Sequence, residues 1–387
     1  METAFWLVVW SVTPCIITAF SEKNKSNKKA NGLSVTETRM VKVFGVERKI
    51  DIPPEDFPTE AELSEQLESE ELVPHCEHGW YESVYDRAKL HYRYFVPSQK
   101  PPKAVLVYQH GISTHGGKAF QLKSNGRKLN MSLMSEICLK ENIALYAPDM
   151  YGHGYSEGLR FFIPDTWENN LKDLLTFMDL IDSQYQDVPI FLMGESYGGT
   201  LAIHAARQYQ DHPETAPKNF RGILLTGPAI IGDLPPYPVF FVLRHILAPL
   251  FPKWIPFFMP NPISPERIWR DPEVLALRTD KRFVEMGVDG SGKPFRLGTA
   301  LNLVVSMEEA RTKAIPGFNL PYCIAHGAKD AGVPIAGSEY MINTANTPGD
   351  DRDYLRIEDA YHDLLSDPVA EETMDFFIKF MNKHLSK

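Results

Sequence analysis

The chain has 387 residues, of which 43% are hydrophobic and 23% are charged, the ordinary composition of a globular protein. This composition excludes wholesale disorder, a polytopic membrane protein and collagen or coiled-coil architecture. The 40 basic and 50 acidic residues give a net charge of −10, which argues against a nucleic-acid partner because phosphate binding needs a basic face.

The first apolar stretch covers residues 4–20 (AFWLVVWSVTPCIITAF). It has the length of a signal-peptide core and lies at the short limit for a membrane span, and Pro14 would kink a spanning helix. We therefore predict that residues 1–22 are a signal peptide or anchor that directs the chain to the secretory pathway or a membrane. A cytoplasmic protein with a hydrophobic arm packed on its fold is the alternative.

Residues 23–78 are predicted to be a polar linker and an acidic extension. The linker is too polar to bury a core, and residues 55–71 fit a short solvated amphipathic helix. Glycosylation signals occur at Asn24 and Asn130 and would matter only in a secreted chain. The cysteines show no metal-ligand spacing and leave at most one disulfide open. They are Cys15, Cys76, Cys138 and Cys323.

The rest of the chain alternates strand and helix patterns. Residues 81–96 resemble two strands joined near Asp86, and residues 167–181, 200–209 and 369–384 have helical periodicity. Short apolar runs typical of buried parallel strands are residues 103–108, 143–147, 189–193, 222–225 and 322–325. The pattern predicts an α/β fold with a mostly parallel sheet and helices on both faces, and functional residues just after the strands.

One such position carries the sequence GESYGG (194–199), which follows a strand-like run and precedes a helix. This is G-x-S-x-G in the strand–turn–helix setting that strains the serine and lifts its Oγ clear of the sheet. The helix N-terminus favours developing negative charge there. Ser196 is therefore predicted to be a catalytic nucleophile rather than a serine in a glycine-rich turn.

A serine nucleophile needs a base and an acid that orients it, and on such a turn the chain order is serine, acid, histidine. His362 lies in a loop between a strand-like run and the last helix, and we predict that it is the base. Asp330 directly follows the run at 322–325 and is the predicted acid.

Other candidates receive lesser roles. We predict that His326 is structural, that His384 is a solvent-facing helix residue, and that Asp149, which precedes the serine, is a turn residue. Two backbone amides should hold an oxyanion, and we predict those of Tyr197 and Ile112, with Gly111 allowing close approach. His110 and His115 are predicted to hold that loop.

Five blocks then carry a resemblance: QHGISTHGG, APDMYGHGYSEG, FLMGESYGG, AHGAKDAGVP and DAYHDLL. Their order and spacing from about Tyr81 onward resemble the monoacylglycerol lipase and lysophospholipase family of serine aminopeptidase-like hydrolases, which have the α/β-hydrolase fold. GES in place of GHS, and PFRLGT at 294–299, are similar to the plant-type monoacylglycerol lipase and caffeoylshikimate esterase-like members. The resemblance implies ester hydrolysis through an acyl-enzyme without a metal or organic cofactor. Tyr197 departs from the methionine usual in the family.

Residues 230–316 interrupt the predicted hydrolase core, which comprises residues 79–229 and 317–387. The insertion begins with an aromatic, proline-rich half that also contains Arg244, His245 and Lys253. We predict a lid that forms an acyl channel and contacts a membrane transiently, with apolar side chains at the interface and cations at headgroups. A cap that only packs its own core is the alternative, and the prolines argue against a spanning segment.

The predicted function is cleavage of fatty acid from monoacylglycerol, a lipid ester. A lysophospholipase would use the same triad on another headgroup, and a phenolic-ester esterase or an acyltransferase is also compatible. A non-catalytic binding protein is disfavoured because all three triad positions are filled. Epoxide hydrolase or dehalogenase chemistry would need a carboxylate where Ser196 stands. The oligomeric state is left open.

Overall fold

The computed structural model describes residues 76–117, 123–124, 126–232, 234, 236–256, 263–279 and 294–385, together with the backbone of two earlier strands. The predicted signal segment, the acidic helix at 55–71 and the Asn24 glycosylation signal lie outside the described residues. No helix in the described ranges combines the length and the apolar character needed to cross a membrane.

The two earlier strands are β1 (Glu37–Val43) and β2 (Val46–Ile52), which form a two-stranded sheet of their own. They fall within the stretch that the sequence predicts to be linker. Their alternating apolar residues and the two-residue spacing between them are a hairpin signal that our sequence analysis did not use.

The main sheet has eight strands in the order β12-β11-β10-β9-β5-β8-β4-β3. The strands from β5 to β12 in this sheet pair in parallel, and β3 and β4 join antiparallel at one edge. Their bounds are β3 (Glu77–Glu82), β4 (Lys89–Phe95), β5 (Ala104–Gln109), β8 (Ile143–Pro148), β9 (Ile190–Glu195), β10 (Phe220–Thr226), β11 (Tyr322–Gly327) and β12 (Arg352–Ile357). A short separate pair consists of β6 (Lys123–Ser124) and β7 (Arg127–Lys128).

The helices are named in chain order. The α-helices are α1 (Asn130–Lys140), α2 (Trp167–Gln184), α3 (Tyr197–Asp211), α4 (Tyr237–Val242), α5 (Ala248–Leu250), α6 (Pro265–Ile268), α7 (Pro272–Arg278), α8 (Leu297–Glu309), α9 (Ala336–Thr344) and α10 (Ala370–Lys383). The described residues also contain two π-helical segments (Leu243–Leu247 and Ala310–Ala314) and two 3₁₀ turns (Pro213–Thr215 and Gly349–Asp351).

The sheet is buried on both faces, as its continuous apolar runs predict. In β5, Val105 and Val107 join one hydrophobic cluster with α2 and α3, whereas Leu106 and Tyr108 join the opposite cluster with α1 and α10. This alternation explains why the strands read as unbroken apolar runs rather than as apolar–polar repeats. The strands and helices predicted from Tyr81 onward, and the mostly parallel fold, are confirmed.

Residues 230–316 lie between β10 and β11, and their described parts contain α4 to α8. The start of α8 is tied to the loop at 160–165, because Thr299 Oγ1 donates to the Phe161 carbonyl at 3.0 Å and the Arg296 guanidinium donates to the Arg160 carbonyl at 3.2 Å. The PFRLGT block therefore fastens this segment to the core. Helix α4 contributes no buried side chain.

Candidate active site

Ser196 lies at the sharp turn between β9 and α3. Its backbone has φ of 55° and ψ of −120°, a conformation that non-glycine residues rarely adopt and that costs about 1–3 kcal/mol. The hydrogen bond from its N–H to the Thr226 carbonyl (3.0 Å) helps to hold this strain. Tyr197 is the first residue of α3, so its N–H has no acceptor four residues back in the helix.

The two glycines around Ser196 are required by close packing. A β-carbon on Gly194 would lie 2.6 Å from the Gly199 Cα, and one on Gly198 would overlap the carbonyl oxygen of Gln109. Strand β9, helix α3 and the loop after β5 can therefore meet only where these side chains are absent. This confirms the sequence argument for glycine two positions before and after the serine.

Asp330 and His362 lie together after β11 and β12. His362 Nδ1 is 2.6 Å from Asp330 Oδ2, and both side chains are buried. The other carboxylate oxygen, Oδ1, accepts the N–H groups of Gly332 and Val333 at 2.8 and 2.7 Å. These contacts fix the orientation of the carboxylate, which in turn fixes the imidazole.

The Asp330 carboxylate stays charged although it is buried. Burial raises the pKa of this carboxyl, but the charge of His362 and the hydrogen bonds from His326 and His362 outweigh burial and hold the pKa below its ordinary value. His326 Nε2 lies 3.1 Å from Asp330 Oδ2, and its Nδ1 lies 2.7 Å from Ser338 Oγ. Our prediction that His326 is structural missed this contact with the acid.

The histidine–aspartate pair lies beside the serine turn. Gly227, directly after the Thr226 that accepts the Ser196 N–H, packs against the pair: a β-carbon there would be 3.2 Å from His362 Nδ1 and 3.5 Å from Asp330 Oδ2. Residues that follow four strands, β9 to β12, thus meet at one edge of the sheet. The sequence pointed to this edge but not to Gly227.

The loop after β5 reaches the same place. A β-carbon on Gly111 would lie 3.0 Å from the Ser196 Cβ and 3.6 Å from its Oγ. His110 Nδ1 donates to the Gly111 carbonyl at 2.7 Å, because its Nε2 accepts the Met150 N–H at 2.9 Å. Since the peptide is planar and trans, the Ile112 N–H points away from that carbonyl. Burial lowers the pKa of His110 and favours the neutral ring that this arrangement needs.

Two sequence predictions require correction. Asp149 is more than a turn residue: its carboxylate is fully buried and contacts His91 Nδ1 at 2.8 Å and the Arg93 guanidinium at 3.2 Å. His384 is not solvent-facing but buried, with Nδ1 at 2.9 Å from the Phe380 carbonyl and Nε2 at 3.1 Å from Asp351 Oδ1. Hydrophobic periodicity does not identify such partners. His91 and Arg93 are far from Asp149 in the chain, and Asp351 is far from His384.

The remaining sequence candidates are placed as follows. The described cysteines, Cys76, Cys138 and Cys323, are buried. Asn130 is fully buried at the start of α1, and its amide donates to Asp363 at 3.2 Å, so it cannot carry a glycan in this fold. His115 is also buried, and its Nδ1 accepts the Gly117 N–H at 3.2 Å, which agrees with a role in holding the loop.

A mostly parallel sheet with helices on both faces, a strained serine at a strand-to-helix turn and an adjacent histidine–aspartate pair define an α/β-hydrolase. Residues 100–369 match the family described as serine aminopeptidase, S33 (Hydrolase_4), and the chain belongs to that family. Membership confirms the predicted recognition of a serine hydrolase with this fold.

The curated proteins that this chain resembles include a lipase and an esterase. A monoglyceride lipase from Rattus norvegicus is 29% identical over 284 residues, which cover 72% of this chain and 81% of that protein. A caffeoylshikimate esterase from Arabidopsis thaliana is 25% identical over 304 residues, 77% of this chain and 82% of that protein. A soluble variant of monoglyceride lipase from Saccharomyces cerevisiae, solved with a substrate analogue, shares the fold with a TM-score of 0.62 at 19% identity, covering 82% of this chain and 97% of that one.

Proposed function

We propose that the protein is a carboxylic ester hydrolase that cleaves fatty acid from monoacylglycerol. The observation that carries the proposal is the 2.6 Å contact between His362 Nδ1 and Asp330 Oδ2 beside the strained Ser196 turn. The similarity to monoglyceride lipases supports the choice of ester. The activity rests on the chain's own side chains and backbone amides.

In the proposed mechanism, Ser196 Oγ attacks the ester carbonyl while His362 Nε2 takes its proton. Asp330, bonded to Nδ1, holds the ring in the tautomer that leaves Nε2 free to accept, and it stabilises the imidazolium that forms. The amides of Ile112 and Tyr197 bind the oxyanion, which also gains from the N-terminus of α3. The proton passes to the departing glycerol oxygen, and water activated by His362 then releases the fatty acid.

The direct test compares wild type, Ser196→Ala and Ser183→Ala on 1- and 2-monooleoylglycerol. Ser183 is an exposed serine on α2 and serves as the matched control. We expect hydrolysis by wild type and Ser183→Ala and its loss in Ser196→Ala. Substantial hydrolysis by purified Ser196→Ala would contradict the mechanism.

The same assay separates the alternative esters. Lysophosphatidylcholine and a caffeoyl ester are offered at matched concentration, and free acid is measured alongside any transfer to an alcohol. Preference for lysophosphatidylcholine would keep the mechanism and change the headgroup. Preference for the caffeoyl ester would place the substrate with that of the plant relative.

We also propose that the 230–316 segment acts as a lid and contacts a lipid surface. Apolar side chains on and near α4 are exposed, with Tyr237 at 75%, and Arg244 lies on the turn that follows. Exposed apolar side chains next to an arginine, here one that also pairs with Glu308, fit a membrane interface. The exposed large apolar side chains among the described residues of the segment are Leu234, Tyr237, Val239, Phe241 and Ile255.

The double variant Tyr237→Ser/Val239→Ser tests this contact by flotation with phosphatidylcholine–phosphatidylserine vesicles. We expect weaker vesicle binding while hydrolysis of a soluble short-chain ester is unchanged. Trp80→Ser is the control, because Trp80 is another exposed aromatic (47%) that lies in β3, outside the segment. Equal loss in both variants would argue against a specific lid contact.

Finally, we propose that the apolar residues 4–20 attach the full chain to a membrane of the secretory pathway. Cell fractionation of the full chain and of a form without residues 1–22 tests this. Membrane recovery that is unaffected by the deletion, or a cytosolic full chain, would favour the cytoplasmic alternative.

A further inference from the structure

A buried polar cluster contains the residues next to Ser196 and His362 in the chain, and the mechanism above does not use it. We call it the Arg278 cluster; it consists of Tyr108, Glu195, Trp269, Arg278 and Asp363. Each member is at most 5% exposed. Glu195 directly precedes the serine and Asp363 directly follows the histidine, whereas Trp269 and Arg278 come from the 230–316 segment.

The two carboxylates of the cluster are held by specific donors. Tyr108 Oη donates to Glu195 Oε2. Trp269 Nε1 donates to Asp363 Oδ2 at 2.8 Å, and the Asn130 amide donates to Asp363 Oδ1 at 3.2 Å. Both carboxylates sit where water is excluded, so the fold must supply their counter-charge.

Arg278 is the basic side chain at this place. It ends α7, is only 5% exposed, and its guanidinium carbon lies 5.2 Å from the Trp269 ring centre. Burial and the charges of Glu195 and Asp363 raise the pKa of the Tyr108 hydroxyl, and the Arg278 charge acts in the opposite direction. All three charges therefore act on one buried hydroxyl group.

The part of the segment that carries these residues is fastened to the core. The Arg270 guanidinium makes two hydrogen bonds of 2.7 Å to the Asp367 carboxylate, four residues after Asp363. Arg127 donates to Asp271 Oδ2 at 2.7 Å, and Asp271 caps α7. Arg278 is thus presented to the cluster by a fixed helix rather than by a loop.

We propose that Arg278 is a positioning residue: its guanidinium neutralises Glu195 and Asp363, and so holds the nucleophile turn and the histidine loop in register. The inserted segment would then help to position the catalytic residues, in addition to its proposed role as a lid. This inference rests on the proposed roles of Ser196 and His362. It gives Glu195, the residue before the nucleophile, a partner on the insertion.

The test measures the rate at which a fluorophosphonate labels Ser196, together with kcat and KM for p-nitrophenyl butyrate, in the full chain. In Arg278→Met the two carboxylates lose their cation, and we expect labelling and kcat to fall roughly tenfold or more while KM changes less than about threefold. Arg278→Lys keeps the charge without the planar fork and should recover part of the rate. Arg311→Met, an exposed arginine of the same segment, is the matched control.

A double-mutant cycle identifies the partner. Because an uncompensated buried carboxylate is worse than a missing pair, Glu195→Gln/Arg278→Met should label faster than Arg278→Met alone. If the fold-change in labelling rate of the double variant equals the product of the fold-changes of the two single variants, Glu195 and Arg278 act independently, which would overturn the proposal. Labelling of Arg278→Met at the wild-type rate would also overturn it. If Arg278→Met does not fold, Trp269→Phe provides the test, because it keeps an aromatic ring but removes the N–H that donates to Asp363. An unchanged kcat in Trp269→Phe would count against a positioning role for the Arg278 cluster.

This outcome is independent of the proposed substrate. Wild type that fails to label would remove the nucleophile assignment itself. Wild type that labels normally but hydrolyses no monoacylglycerol would change the substrate and leave the Arg278 test intact.

Discussion

Two buried aspartates, each at the end of a parallel strand and each bonded to histidine, occupy different parts of this molecule. Asp149 follows β8 and contacts His91 and the Arg93 guanidinium, and Asp330 follows β11 and contacts His362 and His326. Burial raises the pKa of both carboxyls, but the charges and hydrogen bonds of their partners hold the pKa below the ordinary value in each.

The difference lies in what surrounds each pair. Asp149 also accepts the N–H groups of Gly116 and Tyr155 at 2.7 and 3.1 Å, and so ties the loop after β5 and the loop after β8 to β4. His362, in contrast, is on a loop beside the Ser196 turn. A buried aspartate–histidine contact is therefore not by itself catalytic, and the neighbouring strand ends decide its role.

The largest expected effect is the difference in kcat between variants of the two aspartates. Asp330→Asn should lower kcat by about 10³–10⁴-fold, because the amide no longer holds His362 in the required tautomer. Asp149→Asn should lower kcat per folded molecule far less. Steady-state hydrolysis of a soluble ester, with Asp350→Asn in an exposed turn as the control, measures both. Equal losses in the two variants would remove the distinction.

The second prediction concerns stability. Arg93→Met leaves the Asp149 charge buried without its guanidinium, and we expect a loss of about 3–5 kcal/mol in the free energy of unfolding. Arg87→Met removes an arginine from an exposed pair with Glu82 and should change little. Urea unfolding followed by tryptophan fluorescence compares them. A small change in the free energy of unfolding of Arg93→Met would mean that His91 and the backbone donors are enough to stabilise the buried Asp149 charge.

A smaller effect is expected at His326, the second histidine that contacts Asp330. His326→Gln weakens one donor to Asp330 Oδ2 and should lower kcat roughly tenfold, about 1.4 kcal/mol, at nearly constant KM. His384→Gln also disrupts a buried histidine–aspartate contact, at Asp351, and should affect stability only. Unchanged kcat in His326→Gln would restore the purely structural interpretation of that residue.

The smallest expected effect is in the acid dependence of stability. Asp149 has a lowered pKa, so its contribution is present above the unfolded value of about 3.9 and is lost as pH falls through the folded value. Asp173 acts oppositely: burial raises its pKa to about 6, so its contribution is present below about pH 4 and lost as pH rises through 6. In wild type the two pH windows adjoin at about pH 4, so a single acid titration of stability contains both contributions.

The Asp149 part is isolated by the difference between wild type and Asp149→Asn. This difference in unfolding free energy should be constant from pH 7 to about pH 5 and shrink below about pH 4. A difference that instead grows on acidification would mean that the folded carboxyl has a raised pKa.

Local patterns predicted much of the fold and part of the site. The strand runs, helix α2 and the serine turn were predictable because each depends on residues near one another in the chain. Helix α1 was missed because polar residues, among them Asn130, Ser132 and Ser135, are buried alongside its apolar ones and blur the amphipathic pattern. The buried contacts of His326 and His384 were missed because helix and strand periods do not identify a buried partner.

The sequence by itself determined the class of the molecule: alternating buried strands and helices, and a G-x-S-x-G turn that only glycine neighbours allow. The Asp330 and His362 candidates followed from chain order and strand ends. Only the tertiary structure decided that these two side chains meet, that Asp149 serves another network, and that Arg278 packs against Trp269, the donor to Asp363 beside the histidine. The physical reason is that charge pairing and burial depend on which strand ends are neighbours in the sheet, whereas propensity and periodicity act within a few turns of chain.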